Sequence, residues 1–146
     1  MGPDQVADLS QALRRHSFFQ GMSIGDLERF MRITNLYEYE SGKTVFKKGD
    51  VGDALYVIGS GQVNIIQRRF PIWPAKTIAT LNPGDFFGEM ALLDQPYRTA
   101  TAVTHGPTSL FVILNTNFND LLRDNPEFAR NLRHIAQTRA FETKNR

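Results

Sequence analysis

Between Leu36 and Leu114 the chain is a succession of short β-type runs punctuated by glycines. The runs are Leu36-Tyr37-Glu38-Tyr39-Glu40, Thr44-Val45-Phe46, Ala54-Leu55-Tyr56-Val57-Ile58, Val63-Asn64-Ile65-Ile66 and Thr77-Ile78-Ala79-Thr80-Leu81, with two more at 100–104 and 110–114. Their β-branched and aromatic side chains suit a pleated, half-buried surface. Gly42, Gly49, Gly52, Gly59, Gly61 and Gly84 separate or interrupt them. A glycine in such a place serves a tight turn with positive φ, or a bulge. Many short strands with Gly-rich turns indicate a sandwich or a barrel.

Helical patterns occupy the two ends. Val6, Leu9 and Leu13 fall at helical spacing after the start signal Pro3-Asp4. Ser23-Ile24-Gly25-Asp26 resembles a capping box with aspartate in place of glutamate. It leads an apolar stripe of Ile24, Leu27, Phe30 and Met31 that ends near Thr34-Asn35. Beyond the β-type region, Asn115-Thr116-Asn117 can cap a helix containing Phe118, Leu121 and Leu122. Asp124-Asn125-Pro126 stops that helix and starts another, with Phe128, Leu132 and Ile135 on one face. Arg139 continues the same line about 6 Å further along the axis. The stretch RRFPIWPAK, Arg68 to Lys76, does not read as strand, because Pro71 and Pro74 flank the only tryptophan, Trp73. A proline-stiffened loop with Trp73 folded back on the barrel is favoured there over a partner-binding tip.

Chemistry concentrates in residues 86–103, FFGEMALLDQPYRTATAV. Gly88 lets the backbone approach a ligand closely. Glu89-Met90-Ala91-Leu92-Leu93 are good helix formers, enough for about a turn and a half. A glycine opening a short helix exposes N–H groups without intrahelical partners, which favour an anion. Arg98 follows one loop later, and its planar fork suits bidentate contact with a phosphate. A carboxylate such as Glu89 is no phosphate ligand, but it accepts well from a sugar hydroxyl. Phosphate and ribose together make a nucleotide. The other reading of these residues is a buried turn holding a structural Glu89–Arg98 ion pair.

This segment resembles the phosphate-binding cassette of the cyclic nucleotide-binding domain family, Phe-Gly-Glu-x-Ala-Leu, a gap, then Arg-(Ser/Thr/Ala)-Ala. Phe87, Gly88, Glu89, Ala91, Leu92, Arg98, Thr99 and Ala100 match it position by position. The glycines of GDVGDALYVIGSGQV resemble the family's β-roll in the same way. The resemblance covers nearly the whole chain. It implies an α+β fold, an antiparallel, jelly-roll-like β-roll flanked by N-terminal and C-terminal helices. It implies a single domain over 1–146, with helices in 1–35, the roll in 36–114, the cassette at 86–99, and hinge and lid helices in 115–146.

The function implied is that of a cyclic nucleotide-binding sensor or regulatory domain in signal transduction. By resemblance, Arg98 grips the cyclic phosphate and Glu89 the ribose 2′-hydroxyl. Backbone N–H groups from Gly88 through Met90 to Ala91 complete the cradle beside Phe87. Thr99 is compatible with adenine and can also contact a guanine turned syn, so cAMP is the expected ligand and cGMP a real competitor. Arg139 lies where relatives place a residue over the purine. Leu92-Leu93 would pack against the hinge on Phe118, so that binding moves the C-terminal helices. Replacing Arg98 is then expected to cost binding and little stability. The alternative is a protein-interaction module of the same fold that binds no nucleotide; retention of both Glu89 and Arg98 argues against it.

Other classes find little support. A chain of 146 residues fits one domain. A net charge of +2, with a pI of about 9.1, is too mild to imply nucleic acid binding. DNA-binding relatives carry a helix-turn-helix after the long last helix, and the few residues after Phe141 leave no room for one, so no DNA binding is expected within this chain. Without cysteine there is no disulfide, thiolate metal site or thiol nucleophile. His16, His105 and His134 are scattered, unlike the clustered ligands of a cupin metal centre. Neither a Gly-x-Ser-x-Gly elbow nor a P-loop is present. Hence no enzyme activity and no cofactor are expected, only the cyclic nucleotide ligand. No apolar run approaches the roughly 20 residues that span a bilayer. The amino terminus, MGPDQVADLS, lacks signal-peptide character, and a cytoplasmic location is the expectation. The residues identify no effector.

Overall fold

Every residue from Ala54 to Ile58 is buried, and their alternation lays out the architecture. Ala54, Tyr56 and Ile58 join one apolar cluster with Val63, Phe87, Ala102 and Leu110. Leu55 and Val57 join another with Phe30, Phe86, Phe111, Ile113, Phe118 and Leu121. Successive side chains of a strand point to opposite faces, and a strand covered on both reads as a continuous apolar run. One face of this segment therefore lines the roll interior, and the other carries the helices.

The computed structural model describes residues 23–69, 73–88, 97–127, 129–130 and 133–134. In chain order the elements are α1 (Ile24–Arg32), β1 (Thr34–Tyr39), β2 (Thr44–Phe46), β3 (Ala54–Arg69), β4 (Trp73–Leu81), β5 (Phe86–Phe87), β6 (Thr101–Leu114) and α2 (Asn115–Asp124). The strands form one six-stranded antiparallel sheet in the order β1-β6-β3-β4, with β2 added to β6 and β5 to β3. The chain is helical again at 126–127, 129–130 and 133–134. The expected α+β class, a β-roll with helices on both sides in sequence, is the fold adopted. Phe30 of α1 meets Phe118 of α2 edge to face, with centroids 6.0 Å apart at 78°. That is a favoured aromatic geometry. An Arg29–Asp124 ion pair joins the same two helices at the surface.

Several boundaries differ from the sequence reading. The runs at 54–58 and 63–66 are one continuous strand, β3, and those at 100–104 and 110–114 are one strand, β6. Between Ile58 and Gln62 the β3–β6 register shifts twice instead of the chain turning back. Glycine in a bulge and glycine in a turn look alike locally; pairing with a long partner strand decides between them. Gly59 is not a positive-φ residue: a Cβ there would stand 2.6 Å from the Phe111 ring, so glycine is needed for space. Strand also enters the stretch that the sequence did not read as strand: β3 continues to Arg69, which pairs with Trp73 of β4. Pro74 is tolerated because β4 lies at the end of the strand order.

Helix α1 stops at Arg32, and strand begins already at Thr34, whose buried hydroxyl donates to Met31 O at 2.9 Å. Asn115 does not cap α2 with its side chain: the N-cap is Leu114, and Asn115 Nδ2 donates to Gly52 O at 3.1 Å instead. The expected helix around Val6 to Leu13, the side chain of Trp73, and Phe128, Leu132 and Ile135 lie outside the described residues.

Candidate functional site

The site is built around Arg98, which is 4% exposed although it carries a full charge. The turn after β2, the start of β3 and Gly88 enclose it. The turn after β2 holds its main chain: Arg98 N donates to Asp50 O at 2.7 Å, and Gly49 N donates to Arg98 O at 2.8 Å. That turn is itself closed by Lys47 N donating to Asp50 Oδ2 at 2.9 Å. Gly49 supplies its left-handed corner with φ 93°. Next to it, Val51 and Tyr97 form an isolated antiparallel bridge.

The guanidinium lies on the roll-interior side of β3. Nη2 donates to Ala54 O and Nη1 to Gly88 O, each at 2.8 Å. A buried cation requires such hydrogen bonds, because desolvation otherwise makes it costly. Its Cζ stands 4.3 Å from the centroid of the Phe46 ring and 5.7 Å from that of Tyr56. Burial raises the Tyr56 phenol above its ordinary range, a shift the Arg98 charge opposes without reversing. Tyr56 is therefore a neutral phenol and offers Arg98 no negative charge.

Two glycines leave room for this side chain. A Cβ on Gly52 would stand 3.2 Å from Cζ and Nε of Arg98. A Cβ on Gly88 would stand 2.9 Å from Nη1 and 3.0 Å from Ala54 O, and Gly88 has φ 84°. Space and backbone conformation both demand glycine at 88, here because of Arg98 and Ala54 O. Asn82-Pro83-Gly84-Asp85 sets the approach to Gly88. It is a turn, with Asp85 N donating to Asn82 O at 2.9 Å, and Ile58 N then donates to Asp85 O at 2.9 Å.

The structure thus brings Gly88 and Arg98 together. Phe87, placed in the candidate site by the sequence, is 2% exposed and stacks on Tyr56 at 4.9 Å, so its side chain supports the site from the core. Thr99 is half-buried beside Arg98. Glu89, Met90, Ala91, Leu92, Leu93 and Arg139 lie outside the described residues. Phe118, expected to meet Leu92-Leu93, is fully buried against Phe30. The sequence reading missed Phe46, Tyr56 and the turn at 47–50 as neighbours of Arg98. A single sequence carries no signal that pairs residue 46 with residue 98. Among the described residues no helix is long and apolar enough to cross a membrane, and no group of histidines and carboxylates could hold a metal ion.

Known proteins bear on this geometry. The chain is 33% identical over 124 residues to the cyclic AMP receptor protein of Thermus thermophilus, covering 85% of this chain and 57% of that one. It is 31% identical over 125 residues to the cGMP-dependent protein kinase egl-4 of Caenorhabditis elegans, covering 85% of this chain and 16% of that one. Its fold matches the cAMP-bound regulatory domain of Toxoplasma gondii PKA with a TM-score of 0.75 and 26% identity, over 85% of this chain and 47% of that chain. The chain therefore spans well under two thirds of each of these relatives. Residues 36–125, from within β1 to the residue after α2, match the model of the cyclic nucleotide-binding domain, and the chain belongs to that family.

Proposed function

We propose that the chain binds a cyclic nucleotide, with cAMP as the preferred ligand and cGMP as competitor, and passes binding on to its C-terminal helices. The observation that carries this reading is the buried Arg98, oriented by the carbonyls of Ala54 and Gly88 at the end of the cassette. In this reading Arg98 meets the cyclic phosphate with N–H groups of residues 88–91, Glu89 accepts from the ribose 2′-hydroxyl, and Arg139 stacks on the purine. The whole of 1–146 acts as one sensor domain. Membership of the family supports the ligand class; relatives named for cyclic AMP and for cGMP both occur, so their names do not choose the base.

Competition titrations address the base. Wild type is expected to favour cAMP, and Thr99→Ala to alter the ratio of the two affinities. A much tighter cGMP affinity that is lost in Thr99→Ala would reverse the assignment.

A physical route from site to helices supports the second half of the proposal. Asn115, the first residue of α2, donates through its backbone to Asp53 O at 2.9 Å and through its side chain to Gly52 O at 3.1 Å. Gly52 in turn lies against the Arg98 guanidinium. The nucleotide would shift an existing equilibrium of helix positions by binding one of them better. Amide hydrogen exchange over residues 117–141 is expected to slow at saturating ligand. Unchanged protection there would reduce the chain to a passive binder.

A further inference from the structure

We propose that Phe46 is a positioning residue for Arg98, its ring face fixing where the guanidinium points. The inference rests on the reading of Arg98 as the phosphate contact only for its ligand-binding arm. Phe46 is the last residue of β2, and the turn that follows it is the one that clamps the Arg98 main chain. The same short segment thus holds the arginine twice, by backbone hydrogen bonds and by a ring beneath the side chain. The ring is itself held: its centroid is 5.8 Å from that of Tyr56 and 5.9 Å from that of Phe87, and those two stack at 4.9 Å. Gly52 closes the arrangement, with room for the guanidinium and little more.

The electrostatics favour a ring at this position. A cation 4% exposed has lost most of its hydration. Two backbone carbonyls return part of that loss. Tyr56, a neutral phenol, adds a side-chain hydrogen bond to Arg98 but no negative charge. The negative face of the Phe46 ring, 4.3 Å from Cζ, adds attraction that an aliphatic side chain of similar size lacks. Its contact also restricts the long arginine side chain to the orientation that reaches Ala54 O and Gly88 O. A phosphate arriving there meets a planar fork already aimed, and less ordering remains to be done on binding.

The test compares Phe46→Leu, which keeps apolar bulk without a ring face, with Phe46→Tyr, which keeps the ring. The first readout needs no ligand: the Arg98 Nε–H resonance in the proton–nitrogen spectrum of the free protein, assigned by its loss in Arg98→Lys. Wild type is expected to show it displaced by the ring current, Phe46→Leu to return it toward the ordinary range, and Phe46→Tyr to keep it displaced. The second readout is titration with cAMP. Phe46→Leu is expected to bind roughly 3- to 30-fold more weakly, the span of a desolvated cation–π contact, and Phe46→Tyr to restore near-wild-type affinity. On an Arg98→Ala background, Phe46→Leu should change nothing further. An undisplaced Arg98 resonance in wild type overturns the proposal whether or not any variant folds. So does unaltered cAMP affinity in Phe46→Leu when wild type binds. If wild type binds no cyclic nucleotide but the displaced resonance collapses in Phe46→Leu, the phosphate reading fails and the positioning contact stands.

Discussion

Arg98→Ala is expected to remove most of the cyclic nucleotide affinity, by roughly 2–5 kcal/mol, the cost of leaving a desolvated charge without its partner. By the conversion of about 1.4 kcal/mol per tenfold, that is a loss of between tens and thousands of fold. Titration of wild type and variant side by side checks it, and near-wild-type affinity in the variant would make Arg98 purely structural. The structure revises one part of the sequence expectation. The side chain supplies donors to Ala54 O and Gly88 O in a buried setting, so its removal also costs stability. A buried acceptor left unpaired costs about 1–3 kcal/mol. The free variant should therefore melt lower, by about 2–4 °C for each kcal/mol in a domain of this size. Arg98→Lys keeps the charge and loses the planar fork, and an intermediate affinity is expected.

The second large effect falls on the fold. Gly61→Ala is expected to destabilise the domain by roughly 2–5 kcal/mol, combining a left-handed penalty with overpacking. Gly61 has φ 83°, and a Cβ there would stand 2.7 Å from Thr108 Cα and closer still to Pro107 O and Thr108 Oγ1. These are parts of β6, its backbone and a buried, hydrogen-bonded threonine, so relief requires the β3–β6 pairing to move. Gly42 is the control: its φ is 77° with open space around the missing Cβ, so Gly42→Ala should cost only the conformational part. Urea unfolding of both variants gives the comparison. Equal losses would mean that β3 and β6 do not approach at Gly61 as described.

These two glycines show what the sequence made legible. At Gly61 the need for glycine was clear, but its reason, a bulge in a continuous strand and not a turn, depends on a partner some 45 residues away. The burial of residues 54–58 follows from their unbroken apolar run, and the strands at 44–46 and 77–81 were visible in their β-branched residues. The two-residue strand Phe86–Phe87 was not, because periodicity needs length and this strand exists through pairing with Val57 and Tyr56. At the site the contrast is similar. Gly88 and Arg98 were legible from residue chemistry and the family pattern. Phe46 was not, since its relation to Arg98 arises only when β2 is laid on β6 and the following turn grips residue 98. Asn115 read as a helix cap on composition; in the fold it is already the first residue of α2, after the N-cap Leu114, and its donors tie the helix start to Gly52 O and Asp53 O.

In the proposed function, Arg98 and its cradle bind a cyclic nucleotide. Equilibrium titration of this chain with a fluorescent cyclic nucleotide, displaced by unlabelled cAMP, tests it most directly. Saturable binding that Arg98→Ala abolishes or strongly weakens is the expected result. The absence of saturable binding up to high micromolar ligand, from a chain that is folded, would contradict it.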